Sequence, residues 1–294
     1  INMYYMFGGS GVSSLDLSRW DVNSVINMEK MFYNTVNLIN LYFGDYWVTS
    51  NVTNMYMMFA NSGVRTLDLS DLNTGAVINM GAMFQGTSDI NSINFGTNFT
   101  TGSVTNIASI FDGSGVAELD LSTWDTTGIT DMSSVFKDTT SLNSLTLGGI
   151  FTTAGVTNFS QFLDGSGVTG FDFTSLDTAS ATDMSFMLAN MSNQVNFDLT
   201  GFDTADVTTM ESMLENLVSV EEIDLSSFET SEVVNFTDFM GATTLDNASI
   251  VNLGDQSNTD IIPAGYDLTT LTVERTCSAD LTSIHSENSS TSAN

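Results

Sequence analysis

Between Val104 and Trp124 the rhythm of apolar and polar residues changes halfway along. Val104, Ile107, Ile110 and Phe111 fall at i, i+3, i+6 and i+7, the spacing of one face of a helix. Gly113-Ser-Gly115 interrupts that period, because glycine reaches turn dihedrals that other residues avoid. Val116-x-x-Leu119-x-Leu121 then alternates as a strand with one buried face. The pattern predicts one helical turn, one tight turn and one short strand. A unit this short cannot cover its own apolar face, so it must stack on copies of itself.

The copies are present. The triplet Met3/Met6/Phe7 recurs as Met28/Met31/Phe32, Met55/Met58/Phe59 and onward to Phe236/Phe239/Met240, ten times in all. Their first positions are separated by 25, 27, 25, 27, 25, 27, 25, 26 and 26 residues. Over the first eight anchors the true unit is therefore a pair of coils, 52 residues long. One coil type carries a Gly-Ser-Gly-Val variant before strands such as Leu67-Asp-Leu69, Leu119-Asp-Leu121 and Phe171-Asp-Phe173. The other ends its strand on glycine at Gly44, Gly96 and Gly148, then adds a loop containing Trp47, Phe99 or Phe151. Those loops are expected on one flank of the stack, in alternate coils. Methionine at anchor spacing reads as core, as does the column Trp20, Leu72, Trp124, Leu176, Phe202 and Phe228.

The pattern fades after Met240. Ile250-Val-Asn-Leu-Gly254 reads as a last irregular strand, and Tyr266 to Val273 alternates like an edge strand that closes the stack. The expected organisation is a solenoid of about ten coils over 1–254, a C-terminal cap over 255–282 and a loose Ser/Thr/Asn-rich tail over 283–294. Ile1 to Phe7 enters partway through a repeat and lacks the basic start of a signal peptide. Either the mature chain starts there or it is part of a longer one.

Composition narrows the function. Thirty-five acidic residues stand against five basic ones, a formal charge of −30. Nucleic acid and anionic membranes are poor partners for such a surface. No apolar run approaches a membrane span. Cys277 is the only cysteine, so no disulfide can form within the chain. His285, the only histidine, lies in the tail, which suits neither a catalytic triad nor a zinc site. No phosphate-binding or EF-hand loop occurs, and an enzyme is not expected.

Val52-Thr-Asn-Met55, Leu119-Asp-Leu-Ser122 and Phe202-Asp-Thr204 resemble the motifs of the BspA-like leucine-rich-repeat surface proteins, whose unit is about 26 residues. The resemblance covers residues 1 to about 254. It implies a leucine-rich-repeat-like α/β solenoid of short parallel strands and helical turns, an extracellular or cell-surface location, and adhesion to a protein or glycan. It carries no catalytic residue. A parallel β-helix is the alternative architecture. Self-association into an extracellular fibre or coat is the alternative function, and binding of an ordered lattice through Thr100-Thr101 and Thr152-Thr153 is a third.

One acidic column stands out. Asp16, Asp68, Asp120, Asp172, Asp198 and Asp224 sit between the apolar strand residues and face away from the core. Asp172, Asp198 and Asp224 fall in three successive coils. They are either a solvated face or a cation ladder, for which calcium is the candidate because it accepts several carboxylate oxygens in flexible geometry. Seven Asn-x-Ser/Thr sequons begin at Asn51, Asn98, Asn158, Asn190, Asn235, Asn247 and Asn288. Several come from the repeat itself. If glycans are carried, Asn98 and Asn288 are the expected first sites.

Overall fold

The computed structural model describes residues 1–44 and 46–243 and, as backbone, the strands at 250–252 and 272–274. Ten short strands stack in chain order: β1 Ser14–Asp16, β2 Asn40–Tyr42, β3 Thr66–Asp68, β4 Ser92–Asn94 and β5 Glu118–Leu121 come first. Then follow β6 Ser144–Leu147, β7 Asn196–Asp198, β8 Glu222–Asp224, β9 Ile250–Asn252 and β10 Thr272–Glu274. Every pairing is parallel. The architecture is a parallel β-solenoid, so the stack is as expected but the α component is not. Apart from one 3-10 turn at Phe173–Ser175, the described residues hold no helix.

The anchors that read as helical turns are staircases of β-turns. In the coil opened by Asn54, the amides of Met58, Ala60 and Ser62 donate to the carbonyls three residues back, at 3.0–3.1 Å. The alternate amides, of Met55, Met57, Phe59 and Asn61, donate to Asn79, Gly81, Met83 and Gln85 in the next coil at 2.7–3.0 Å. An α-helix satisfies its amides inside one segment, and a segment of two turns is too short to hold itself together. Sharing alternate amides with the neighbouring coil solves both problems. It needs two residues per coil with positive φ, four apart, such as Met57 and Asn61 or Ser109 and Gly113. The resulting chain path still buries positions i, i+3 and i+4, which is why it imitates a helix.

An Asx turn opens each staircase. The side chains of Asn2, Asn27, Asn54, Asn79, Asn106, Asp131, Asn158, Asp183 and Asn235 each accept the amide two residues on, at 2.8–3.1 Å. Thr209 does the same weakly through its hydroxyl. These positions also bridge coil to coil in parallel, from Asn2 to Asn106 and from Asp131 to Asn235. The residue types that cap a helix N-terminus here cap a turn, for the same reason: a short side-chain oxygen reaches a nearby amide.

The core runs the length of the stack. Phe7, Phe32, Phe59, Phe84, Phe111 and Phe136 lie ring on ring, with centroids 5.4–6.0 Å apart and planes within 8°. The anchor methionines from Met28 to Met213 are fully buried, each contributing about 1.5–3 kcal/mol. Leu72, Trp124, Leu176, Phe202 and Phe228 are buried as expected, and Trp20 packs against the same core from a half-buried position. Trp47, Phe99 and Phe151 are buried in that core too. The loops that carry them present neighbours such as Tyr46, Thr97, Asn98 and Ile150 to solvent instead. The aromatic flank expected from the sequence is core packing.

Threonine forms a second internal ladder. Thr49, Thr74, Thr101, Thr126, Thr153, Thr178 and Thr204 are at most 2% exposed. Each hydroxyl donates to a carbonyl of the next coil at 2.7–2.9 Å. Thr101 and Thr153 thus spend their hydroxyls inside the stack, which removes them from any lattice-binding face.

The expected strand Phe171-Asp-Phe173 does not form. Gly170 takes the position held by Ser14, Thr66 and Glu118 in the matching coils, with φ at +63°. The chain turns instead, and Asp172 caps the 3-10 turn. Most of the expected cap at 255–282 and all of the tail at 283–294, with Cys277, His285 and Asn288, lie outside the described residues, as does Asn247. Within that span β10 pairs in register with β9.

Candidate functional site

The strands alternate in burial, and their outward positions form one polar face. Ser14, Asp16, Asn40, Tyr42, Thr66, Asp68, Ser92, Asn94, Glu118, Asp120, Ser144 and Thr146 are all exposed. The face is not continuous. β1 pairs with β2, β3 with β4 and β5 with β6, each as a separate two-stranded sheet, whereas β7 to β10 form one sheet. Pairing breaks after every second strand from β1 to β6, although their starts are evenly 26 residues apart, and is continuous from β7 to β10.

Two of these breaks are open clefts. Between β4 and β5 a cavity of about 250 Å³ is lined by Ile93, Phe95, Leu119, Glu118, Asp120 and Thr123, among others. Between β6 and the Phe173–Ser175 turn a cavity of about 380 Å³ is lined by Leu145, Leu147, Phe171, Asp172 and Ser175, among others. Ile93 and Leu145, Phe95 and Leu147, Leu119 and Phe171, Asp120 and Asp172, and Thr123 and Ser175 are each 52 residues apart. The clefts are the same place in successive double repeats. Leu41, Ile93 and Leu145 are half-buried beside the breaks, whereas Phe197 and Ile223 in the continuous sheet are fully covered.

Glycine explains how the coils approach so unevenly. A side-chain carbon on Gly63, Gly115 or Gly167 would lie 2.1–2.3 Å from the carbonyl oxygen of Val36, Ser88 or Thr140 in the preceding coil. On Gly44, Gly96 or Gly148 it would lie 2.4–2.6 Å from backbone atoms of Ser18, Ser70 or Ser122. The first set draws the coils together across each break; the second does so within each strand pair.

The aspartate column is engaged locally. Asp16, Asp68, Asp120, Asp172, Asp198 and Asp224 each accept the backbone amide two residues on, at 2.9–3.2 Å. The neighbouring Ser18, Ser70 and Ser122 side chains and amides hold the carboxyls of Asp16, Asp68 and Asp120 below the usual carboxylate range. Of the three candidate calcium ligands, Asp198 and Asp224 face each other in register, while Asp172 caps the 3-10 turn. No three His, Cys, Asp or Glu side chains among the described residues are grouped to hold a metal ion.

The described sequon asparagines are also engaged. The amides of Asn51, Asn98, Asn190 and Asn235 donate to Asn23, Ser70, Asp164 and Glu211, and the Asn158 side chain caps its turn. On a separate flank, burial pushes the carboxyls of Asp112 and Asp164 up, although Gln85 donates to the first and Asn190 and Gln161 to the second. No helix among the described residues is long and apolar enough to cross a membrane.

The sequence marked this region without naming the clefts. Its signals were the alternating spacing and the glycine-terminated strands; what it concealed was that strand pairing would break between pairs.

Comparison with curated proteins finds no match. A leucine-rich repeat protein from Bacteroides ovatus ATCC 8483, known from a crystal structure, aligns with 90% of this chain and 87% of that one, at 13% identity and a TM-score of 0.33. One family model matches four times in overlapping spans, at residues 1–96, 63–166, 93–191 and 157–261. Those spans take in the residues on which the repeat resembles the BspA-like proteins. The chain belongs to the family described as Mycoplasma protein of unknown function, DUF285.

Proposed function

We propose that this protein is a non-catalytic display scaffold, at a cell surface or outside the cell, that adheres to a protein or glycan through its strand face. The observation that carries this reading is the division of labour within each coil. Apolar, threonine and turn-capping side chains are consumed in holding coils together, while the outward strand positions and the clefts between strand pairs are left open to solvent. Large exposed faces of stacked repeats are the usual binding surfaces of solenoids. The test is binding to arrays of matrix proteins and glycans, using the wild type and an Asn94→Arg/Thr146→Arg variant. Both positions are exposed on the strand face, so loss of binding with an unchanged circular dichroism spectrum supports the reading. Binding that the variant leaves intact refutes it.

Self-association into a fibre or coat is favoured by a different observation: equivalent clefts recur every 52 residues, which would space lateral contacts between copies evenly. Sedimentation and negative-stain microscopy decide, since a monodisperse monomer counts against it. Calcium bridging Asp198 and Asp224 would fasten adjacent coils. A calcium-dependent rise in melting temperature with slower amide exchange over residues 172–225 supports that bridge, and no change in either retires it.

A further inference from the structure

We infer that a cavity beside Gly63, away from the strand face, binds one neutral sugar unit. It lies where the staircases turn into their strands, and it does not rest on the strand-face reading.

The cavity, of about 300 Å³, spans three successive coils: Asn34 comes from the first, Asn61 and Ser62 from the second, Ser88 and Asp89 from the third. Val36 is the one apolar side chain among its lining residues, and Gly63 and Gly86 contribute backbone alone.

Its polar side chains have no structural task. Asn54, Asn79 and Asn106 cap turns, whereas Asn34, Asn61, Ser88 and Asp89 make no side-chain hydrogen bond to any described residue. Asn34 and Asn61 hold φ of 56° and 55°, and their counterparts 52 residues on are Gly86 and Gly113. The turn therefore does not need asparagine. Asn190 and Asn216 adopt the same conformation, but their amides donate to Asp164 and Asn190. Ser62 is 3% exposed and its hydroxyl has no partner. Its counterparts do: Ser114 pairs with Thr87 at 3.2 Å and Ser166 with Thr139 at 3.0 Å. A buried hydroxyl left unpaired is costly, and this one borders the cavity. Gly86 completes the arrangement. A side-chain carbon there would lie 2.1 Å from Asn61 Oδ1, so glycine keeps room for that amide.

The donor and acceptor set selects the ligand. Two amides and two hydroxyls both donate and accept, and Asp89 accepts. Sugar hydroxyls also do both, so one ring can satisfy the whole set. An anion is opposed by Asp89 and by the formal charge of −30. Calcium seeks several carboxylate or carbonyl oxygens, and the lining holds one carboxylate. A peptide needs an apolar anchor pocket or a free strand edge, and neither is here. The volume equals that of about ten waters, enough for one ring with its hydroxyls.

The test is NMR titration of the full chain with a panel of neutral methyl glycosides, and separately with glucuronic acid and with calcium chloride. At least one glycoside is expected to shift the Asn61, Ser62 and Asp89 amides. Asn61→Gly/Asp89→Ser should weaken that binding at least about tenfold, by removing an amide and a charged acceptor. Both substitutions install the residue type found 52 positions later, at Gly113 and Ser141, so the circular dichroism spectrum should not change. Asp89→Asn, on the exposed rim, should weaken binding without touching any turn. The inference is overturned if no glycoside shifts these amides, or if glucuronic acid or calcium binds there more tightly than every neutral glycoside. Glycoside binding that Asn61→Gly/Asp89→Ser leaves intact also overturns it. If Asn94→Arg/Thr146→Arg abolishes that remaining binding, the strand-face reading still stands.

Discussion

Three alanine substitutions for glycine should have three different outcomes. At Gly115 a new methyl would lie 2.1 Å from the Ser88 carbonyl oxygen and 3.2 Å from that of Ile90. Ordinary contact needs about 1 Å more, so the two coils must part there. The Gly115 amide donates to Thr87 in the same preceding coil at 3.1 Å, and that bond stretches beyond reach. Overpacking of about 1–3 kcal/mol plus a lost hydrogen bond of about 1 kcal/mol gives a cost of about 2–4 kcal/mol. At Gly113 the methyl meets only Gly86, at 3.7 Å, but φ is +66°. The cost is torsional, about 1–2 kcal/mol. Gly11 is the counterpart of Gly115 in the first coil and has nothing within 4 Å. Gly11→Ala should be neutral or stabilising by up to about 1 kcal/mol, through the unfolded chain. Because a stack of coils need not unfold in one step, native-state amide exchange is the assay, with urea unfolding beside it. Gly115→Ala should deprotect the Gly115 and Asn91 amides, on either side of the strained contact, more than amides several coils away. If Gly115→Ala costs no more than Gly113→Ala, the close approach of coils does not set the requirement for glycine, and the reasoning fails.

Other expectations follow the same logic. Ser109 holds a φ of 57° without glycine's freedom; Ser109→Gly should stabilise by up to about 1 kcal/mol in urea, and a destabilised variant would show that the turn is not strained. Thr126 donates to the Thr152 carbonyl at 2.7 Å and accepts its amide at 2.8 Å. Thr126→Val should therefore cost about 2–4 kcal/mol by orphaning both groups, while Thr126→Ser retains most of the stability. The pH dependence has two opposed parts. Burial raises the Asp112 and Asp164 carboxyls, so their charge costs stability at neutral pH, and that cost is relieved as pH falls through their folded pKa values. Asp112→Asn/Asp164→Asn should be more stable than wild type at pH 7 and lose that advantage in mild acid, which equilibrium unfolding across pH will show. Asp68 and Asp120 are shifted down; their contribution is complete above the unfolded pKa and is lost as pH falls through the folded one. Wild-type stability should therefore rise slightly and then fall on acidification, and a steady decline from neutral pH would contradict the assignment of Asp112 and Asp164.

The repeat, its register, its pairing into double coils and nearly all of its core were legible in the chain. Each depends on residue identity at fixed spacing, as Met80, Met83 and Phe84 show. Asn79 and Asn106 were legible as caps, since a short side-chain oxygen seeks an amide whatever the turn. What they cap was decided by tertiary structure. Met57, Ala82 and Phe186 share no residue type, yet all three adopt positive φ, because bonds to the next coil offset a strain that nothing local announces. Trp47 and Phe99 looked like a flank and became core, since only the stacked neighbours determine which way a loop turns. The clefts belong to the same class. The alternation of 25 and 27 residues sits in the sequence, but an unmade hydrogen bond between β4 and β5 exists only when both coils are in place.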